Sequence, residues 1–177
     1  MKYKVIRKQN TSRDCFVCGT ANAFGLYAKF YECEKVTDDA ENGEKVLLTI
    51  FTPKDQHQSY PNRMHGGIAA TILDEAIGRA YNILSPDAWG VTMHLTTKFR
   101  KPTPLNQTLY VESKINKTGS RAFDGEGRLF TADGTICVTG EGRYLTVPLE
   151  QITGGEPMGE DVWFYADEDI PEYIEIK

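Results

Sequence analysis

The chain has 177 residues, 40% of them apolar and 25% charged, with a formal net charge of −5. A chain of this length folds as one domain whose core needs neither a metal nor a disulfide. No apolar run approaches a membrane span, and Met1-Lys2-Tyr3-Lys4 leads into polar sequence rather than a signal peptide. We therefore expect a cytoplasmic protein with no membrane partner.

The charge is unevenly distributed along the chain. Nine acidic residues and one basic residue lie between Glu150 and Lys177, whereas residues 1–149 carry 16 acidic and 19 basic residues, a net charge of +3. A mildly basic body suits a small anionic ligand, but a nucleic-acid partner normally meets a denser basic patch. We expect a domain over residues 1–149, an acidic C-terminal extension over residues 150–177, and no nucleic-acid partner.

Two of the four cysteines form the motif Cys15-Phe16-Val17-Cys18. The spacing is that of a metal-ligand pair, but a zinc site needs a second pair or a histidine, and no second CxxC motif exists. His57 or His65 would join the pair only if the fold brought it there. If the two cysteines were a redox pair, a thioredoxin-like βαβ unit would be expected around them, and the chain lacks one. Structural thiols are the favoured interpretation, so we expect no metal and no cofactor.

The first half of the chain predicts a short polar segment and then a hairpin. We expect a loose arm or a short helix over residues 1–14 and a loop from Cys15 to Leu26. Alternation of apolar and polar residues predicts one strand from Leu26 to Cys33 and another from Lys45 to Thr52, joined by a polar turn over residues 37–44.

One long helix is predicted from about Gly66 to Leu84, because apolar residues recur there at i, i+3, i+4 and i+7. Gly66 and Gly67 let a ligand approach backbone N–H groups that have no partner in the helix and can hold a developing oxyanion. Asp74 has no cation one turn away, whereas Glu75 has Arg79 at i+4 and is expected to form a surface pair. An unpaired carboxylate beside an apolar face is a candidate base or nucleophile; the alternative is a solvated Asp.

After the helix, apolar and polar residues alternate with a period of two. This alternation predicts strands over Val91–Lys101, Leu109–Lys117, Ala122–Thr131 and Thr135–Val147. In the first strand, one face is expected to carry Val91, Met93, Leu95, Thr97 and Phe99. One long helix with about five or six antiparallel strands predicts an α+β fold, with the sheet wrapped around the helix. The apolar group Val162-Trp163-Phe164-Tyr165 in the tail is expected to dock on the domain.

The order of elements resembles the hotdog fold. His65-Gly66-Gly67, with Asp74 nine residues after the His, and Lys98-Phe99-Arg100-Lys101-Pro102 at the end of the next strand resemble PaaI-type acyl-CoA thioesterases. The leader Cys15-Phe16-Val17-Cys18-Gly19, Asn22 and Gly25-Leu26 resembles one branch of that group. The resemblance covers about residues 15–147.

This resemblance implies an acyl-CoA thioesterase that works as a homodimer or a dimer of dimers, with active sites at the subunit boundary. The Gly66 N–H would polarise the thioester carbonyl, and Asp74 of the other copy would be the general base or nucleophile. Thr92 fits the place of an assisting hydroxyl. His65 would support the loop by hydrogen bonding rather than act as the base.

The resemblance also implies substrate contacts around the helix start. A residue before the HGG motif would orient water or substrate, and the spacing does not decide between Gln58 and Asn62. Arg100 and Lys101 at a strand end, and Arg121 as a further candidate, could meet the phosphates of coenzyme A, which is part of the substrate. The alternative for these cations is a strand end kept soluble by charge.

Two other functions remain open on the same fold. One is a non-catalytic acyl-CoA-binding protein, which would need no base. The other is a hotdog hydratase or dehydratase, which usually needs a His paired with an Asp. No residue in the sequence fixes the length or aromatic character of the acyl group.

Overall fold

The computed structural model describes residues 1–36, 43–86, 88–157, 159, 163–165 and 169–177. The main helix is α1 (Gly66–Ala80), with short 3₁₀ turns at Asp55–His57 and Tyr81–Ile83 and a short α2 (Leu149–Thr153). The strands are β1 (Lys2–Lys8), β2 (Thr11–Ser12), β3 (Lys29–Val36), β4 (Lys45–Phe51), β5 (Trp89–Phe99), β6 (Leu109–Thr118), β7 (Ala122–Thr131), β8 (Ile136–Val147), β9 (Trp163–Phe164) and β10 (Tyr173–Glu175).

An eight-stranded antiparallel sheet packs against one long helix, which confirms the predicted α+β hotdog architecture. The strand order is β10-β1-β3-β4-β6-β7-β8-β5, and β2 pairs with β9 in a separate two-stranded ribbon. No helix in the described part of the chain is both long and apolar enough to cross a membrane.

Two predicted boundaries are corrected. The α-helix ends at Ala80 and continues as a 3₁₀ turn over Tyr81–Ile83, instead of running to Leu84. The strand β3 begins at Lys29 instead of Leu26, because the backbone N–H groups of Leu26 and Ala28 donate to the leader loop, and Tyr27 between them has a φ of 52°. The turn predicted over residues 37–44 lies mostly outside the described residues.

The prediction of a loose arm or short helix at the N-terminus is wrong, because Lys2–Lys8 is a strand between β3 and β10. Tyr3 is fully buried, and its hydroxyl donates to Glu112 at 2.6 Å. At the other end of the chain, β10 pairs with β1 and Ile176 is buried beside it. The last strand of the acidic segment thus belongs to the main sheet, while the domain boundary at residue 149 stays a prediction.

The buried face of α1 packs on the sheet. Its buried apolar residues are Ala69, Ile72, Leu73, Ala76, Ile77 and Ala80. Glycines on β7 and β8 allow the close approach: a Cβ on Gly125 would lie 2.8 Å from Ile77 Cγ2 and 2.9 Å from the Lys114 carbonyl oxygen. A second apolar cluster, centred on Tyr3, Tyr31, Val46, Leu48 and Phe130, packs apart from the helix core. Successive residues of β4 alternate between the two clusters.

The strand β5 lies at the edge of the sheet and carries a β-bulge at Met93. The register shifts between Thr92, which is opposite Tyr144, and His94, which is opposite Arg143. The prediction that Val91 and Met93 share a face with Leu95 is therefore wrong, because an extra residue reverses the alternation. Val91 and Met93 are 41% and 56% exposed.

The aromatic part of the tail docks on the domain, as predicted. β9 pairs with β2, the Trp163 ring lies 5.0 Å from the Trp89 ring, and the Arg79 guanidinium lies 4.7 Å from the Trp163 ring. Val162 lies outside the described residues.

Candidate active site

Asp74 lies on the shoulder of α1, where hydroxyl groups from two strands reach its carboxylate. Thr92 Oγ1 on β5 donates to Asp74 Oδ1 at 2.9 Å. The Tyr144 hydroxyl on β8 lies 3.2 Å from the same oxygen and 3.0 Å from the Asp74 carbonyl oxygen. Two donors on one carboxylate oxygen fix the side chain and leave the other oxygen available for a reacting group.

The surroundings of Asp74 make it a stronger base than an ordinary aspartate. Burial is the largest effect and raises the pKa of Asp74, the neighbouring Glu75 charge raises it further, and the hydrogen bonds from Thr92 and Tyr144 lower it. No cation of the described chain forms an ion pair with this carboxylate. Burial and the charge of Asp74 also raise the pKa of Tyr144, which keeps that hydroxyl a proton donor. A raised carboxyl pKa at a concave site is typical of a general base.

The start of α1 offers one backbone donor to a ligand. His65 is the N-cap: its Nδ1 accepts from the Gly67 N–H at 2.9 Å, and its carbonyl oxygen accepts from Ile68 and Ala69. The Gly66 N–H has no hydrogen-bond partner among the described residues. It lies next to Phe99, whose ring carbon would be 3.3 Å from a Cβ at Gly66. Gly67 is thus occupied within the chain, and Gly66 is left as the candidate oxyanion donor.

Within one chain, Gly66 and Asp74 are too far apart to act on the same carbonyl group. They are eight residues apart on a helix, and a rise of 1.5 Å per residue separates their backbones by about 12 Å along the axis. Hydrogen-bond contact with a shared reacting group requires about 3 Å on each side. The Gly66 N–H and the Asp74 carboxylate of one chain therefore do not contact the same reacting group.

Gln58 and Asn62 lie together in the exposed loop before the helix. The Asn62 N–H donates to Gln58 Oε1 at 3.0 Å, and Asn62 has a φ of 62°. The Gln58 side chain therefore shapes the turn that holds Asn62. Which of the two would contact substrate stays a prediction.

The three predicted phosphate-binding cations do not form one group. Arg100 and Lys101 are exposed at the end of β5 near Gly66, and Arg100 Nε donates to Thr139 at 3.4 Å. Arg121 precedes β7, and its backbone carbonyl oxygen accepts from the Thr146 N–H beside the opposite end of β5. Within one chain, only Arg100 and Lys101 lie near the proposed oxyanion donor.

A cavity of about 650 Å³ opens beside the Asp74 carboxylate. Asp74, Thr92 and Tyr144 line it together with the aromatic pair Trp89 and Trp163. Its size falls in the range of pockets that hold a drug-sized ligand. The cavity gives the candidate base access to an organic substrate.

The CxxC motif lies next to this site. Ligand atoms of Cys15, Cys18 and Glu75 all lie within 4.8 Å of one another. The predicted pair of Glu75 with Arg79 forms, with 2.6 Å between Oε1 and Nε, but Arg79 is buried rather than at the surface. The hydrogen bond between the two thiols is the largest effect on both cysteines. It lowers the pKa of Cys15 to about 6, and together with burial it raises the pKa of Cys18.

Neither histidine considered for the cysteine pair joins it. His57 is buried, with Nδ1 accepting from the Lys54 N–H at 2.9 Å and Nε2 lying 2.9 Å from the Phe24 carbonyl oxygen. Its two ring nitrogens therefore tie the leader loop to the loop before the helix. His65 is the helix cap described above.

The sequence prediction missed Tyr144 as a site residue. Tyr144 follows Gly140 and Gly142 at the buried, alternating positions of β8, and it is 1% exposed. A buried tyrosine needs a hydrogen-bond partner for its hydroxyl, and here that partner is Asp74. The alternation in β8 was the only available signal.

Comparison with known proteins shows what this chain is similar to. Residues 62–138 match the family model described as the thioesterase superfamily. The chain is 28% identical over 78 residues to the acyl-coenzyme A thioesterase THEM4 of Xenopus laevis, covering 44% of this chain and 34% of that protein. It spans between 32% and 62% of the length of the curated relatives that it matches.

Solved structures agree with the family match. One thioesterase superfamily protein superposes with a TM-score of 0.62 at 28% identity, covering 76% of this chain and 60% of that chain. A Bacillus halodurans protein solved with CoA superposes with a TM-score of 0.53 at 28% identity, covering 56% of this chain and 66% of that chain. The match over residues 62–138 and these superpositions show that the chain has the hotdog fold and is similar to thioesterase superfamily proteins.

Proposed function

We propose that this protein is an acyl-CoA thioesterase in which Asp74 is the general base or the nucleophile. The observation that carries the proposal is the Asp74 carboxylate, positioned by Thr92 and Tyr144 at the wall of the 650 Å³ cavity. Similarity to THEM4, named an acyl-coenzyme A thioesterase, and to a protein solved with CoA supports the substrate class.

Two routes fit this arrangement. As a base, Asp74 takes a proton from water, whose oxygen attacks the thioester carbon; the tetrahedral intermediate then expels the CoA thiolate, which gains a proton. As a nucleophile, Asp74 attacks the same carbon and releases CoA, and water hydrolyses the resulting anhydride. In both routes the Gly66 N–H stabilises the oxyanion, a contribution of about 10²–10³ in rate for one such donor.

The proposed functional unit is a homodimer. β5 is an exposed edge strand of 11 residues, with Val91, Met93 and Phe99 between 41% and 58% exposed. A long apolar edge of this kind favours pairing with another strand. Antiparallel pairing of two copies across β5 would bring Gly66 of one copy toward Asp74 of the other, which resolves the separation of about 12 Å within one helix.

The acyl group is proposed to enter the cavity, while coenzyme A remains at the boundary near Arg100 and Lys101. The rings of Trp89 and Trp163, 5.0 Å apart, offer an apolar wall next to the Asp74 carboxylate. We therefore expect aromatic or medium-length acyl groups to be turned over faster than acetyl.

A hydrolysis panel tests the proposal. Purified protein is incubated with short, long and aromatic acyl-CoAs, and the released thiol is trapped with a dye. Asp74→Asn should reduce kcat by about 10²–10⁴, the range of general-base catalysis. Asp124→Asn is the matched control, since Asp124 is a partly exposed acid on β7 paired with Arg143 at 3.5 Å. Equal turnover in wild type and Asp74→Asn would exclude the mechanism.

The same panel separates the alternatives. Binding of acyl-CoA without hydrolysis would identify a binding protein, and hydration of an enoyl-CoA would identify a hydratase. Against the hydratase, no histidine of the described chain contacts an aspartate: His57 and His65 bond backbone groups, and His94 contacts Thr96 at 3.3 Å.

A further inference from the structure

We propose that Cys15, Cys18 and Glu75 form a binding site for one zinc-class divalent cation, beside the cavity of the candidate active site. The proposal concerns a different group of residues from the hydrolytic mechanism and does not depend on it. It departs from the expectation of no metal, because the third ligand is a carboxylate on α1 rather than a histidine or a second cysteine pair.

The geometry fits a small tetrahedral cation. Bonds of about 2.3 Å to sulfur and 2.0–2.2 Å to oxygen place tetrahedral ligand atoms about 3.5–4 Å apart. The three ligand atoms already lie within 4.8 Å of one another. Shifts of less than about 1 Å would close the site, which side-chain rotation can supply. Two thiolates with one carboxylate is a donor set that suits zinc better than the oxygen-seeking Mg²⁺ or Ca²⁺.

The leader loop positions the sulfur atoms of Cys15 and Cys18 close to each other. The Val17 N–H donates to Cys15 Sγ at 3.3 Å, and the Gly19 N–H donates to the Cys15 carbonyl oxygen at 2.8 Å. Gly19 is required by the tight turn, since a Cβ there would lie 2.2 Å from the Cys15 carbonyl oxygen. A backbone donor on a cysteine sulfur stabilises the thiolate that a metal needs.

Arg79 balances the charge and orients two of the ligands. Its guanidinium contacts Cys18 Sγ at 3.3 Å and Glu75 Oε1 at 2.6 Å, and it is held by the Asn10 carbonyl oxygen and the Phe30 ring. A carboxylate has two oxygens, so Glu75 can keep the arginine and offer the other oxygen to a cation. Two thiolates and one carboxylate carry −3, which a divalent ion and the arginine neutralise. Such contacts to ligands are a regular feature of metal sites.

The fourth coordination position faces the cavity. Cys15 and Glu75 both line the 650 Å³ cavity, whereas Cys18 is 2% exposed. Three protein ligands and one open position are the pattern of a site that can accept water or a ligand group. The site is accessible from the same space as Asp74, which is adjacent to Glu75 on α1.

Direct metal binding tests the proposal without an activity readout. The full chain, reduced and freed of metal by chelation, is titrated with Co²⁺ and then Zn²⁺. We expect one cation per chain after dialysis, a thiolate-to-cobalt charge-transfer absorption, and loss of that absorption when Zn²⁺ displaces Co²⁺. Binding should release protons from the thiols, so the affinity should rise with pH.

Variants locate the site. Cys15→Ser and Cys18→Ser should abolish the charge-transfer band, and Glu75→Gln should weaken Zn²⁺ binding at least about tenfold. Cys33→Ser is the matched control, because Cys33 is a buried thiol in the other apolar cluster. Circular dichroism checks that each variant is folded.

Two outcomes would overturn the proposal. They are no stoichiometric metal on the reduced wild-type chain, and an undiminished charge-transfer band in both cysteine variants. Since the wild-type titration is decisive by itself, misfolding of a variant does not remove the test.

Discussion

Removal of either hydroxyl that holds Asp74 should change the pH dependence of turnover in a defined direction. Thr92→Val and Tyr144→Phe each delete one donor to Asp74 Oδ1 and keep the shape of the side chain. Both hydrogen bonds lower the pKa of Asp74 against the effect of burial. Without one of them the carboxylate binds its proton more tightly. The acid limb of the pH–rate profile should therefore move to higher pH in each variant.

The size of the effect follows from the strength of such bonds. A hydrogen bond to a charged group contributes about 1.5–3 kcal/mol, and 1.36 kcal/mol is a factor of ten in an equilibrium constant. Asp74 is partly exposed and keeps one hydrogen-bond donor in each variant, so the lower end of this energy range applies. On the acid limb, each variant should be about tenfold slower than wild type. Above the limb, the carboxylate is ionised in all three proteins, so the difference should shrink.

The assay is kcat/KM for one good acyl-CoA across the acid limb. Thr96→Val is the matched control, because Thr96 lies on the same strand and its hydroxyl contacts His94 instead. The double variant tests whether the two donors act on one group, since effects on a shared carboxylate are not additive. A limb that stays in place or moves to lower pH in both variants would refute the assignment of this ionisation to Asp74.

Three further outcomes are expected. Because burial raises the pKa of Asp74, its ionised form destabilises the fold at neutral pH. The Tm of Asp74→Asn should therefore be no lower than that of wild type at pH 7, and any gain in Tm should vanish as the pH falls below about 3.9. A lower Tm at pH 7 would indicate a structural role for the carboxylate. Gly125→Ala should lower the free energy of unfolding in urea by about 1–3 kcal/mol through overpacking against Ile77 and the Lys114 carbonyl oxygen; an unchanged midpoint would contradict the close helix–sheet contact. Met93→Lys should shift the sedimentation coefficient to that of a monomer and remove turnover together with the dimer, whereas an active dimer would place the interface elsewhere.

Local pattern was enough to predict the helix and most strands. The start of α1 at Gly66 follows from the glycine pair and the 3.6-residue period, and β6 to β8 follow from the alternation over most of their length. β1 was missed because Lys2–Lys8 reads as a charged segment, and its burial depends on pairing with β3 and β10. A strand whose partners lie far away in the chain gives little local signal.

The cysteine–glutamate cluster shows a different limit. Glu75 belongs to an i,i+4 pair with Arg79 that is typical of an exposed helix face. The leader loop and the tail cover that face, so Arg79 is buried against Cys18, Phe30 and Trp163. Nothing within the helix predicts this, since the covering segments lie about 50 residues before and 85 residues after it.

The placement of Thr92 depends on one residue that alternation cannot predict. Thr97 faces α1 opposite Gly140, and strict alternation from Thr97 would turn Thr92 to the other face of the sheet. The bulge at Met93 adds one residue, so Thr92 returns to the helix side opposite Tyr144, and both hydroxyls reach the same Asp74 oxygen. Bulges of this kind re-aim side chains beside active sites. The irregularity in β5 is thus what joins the helix carboxylate to both strand hydroxyls.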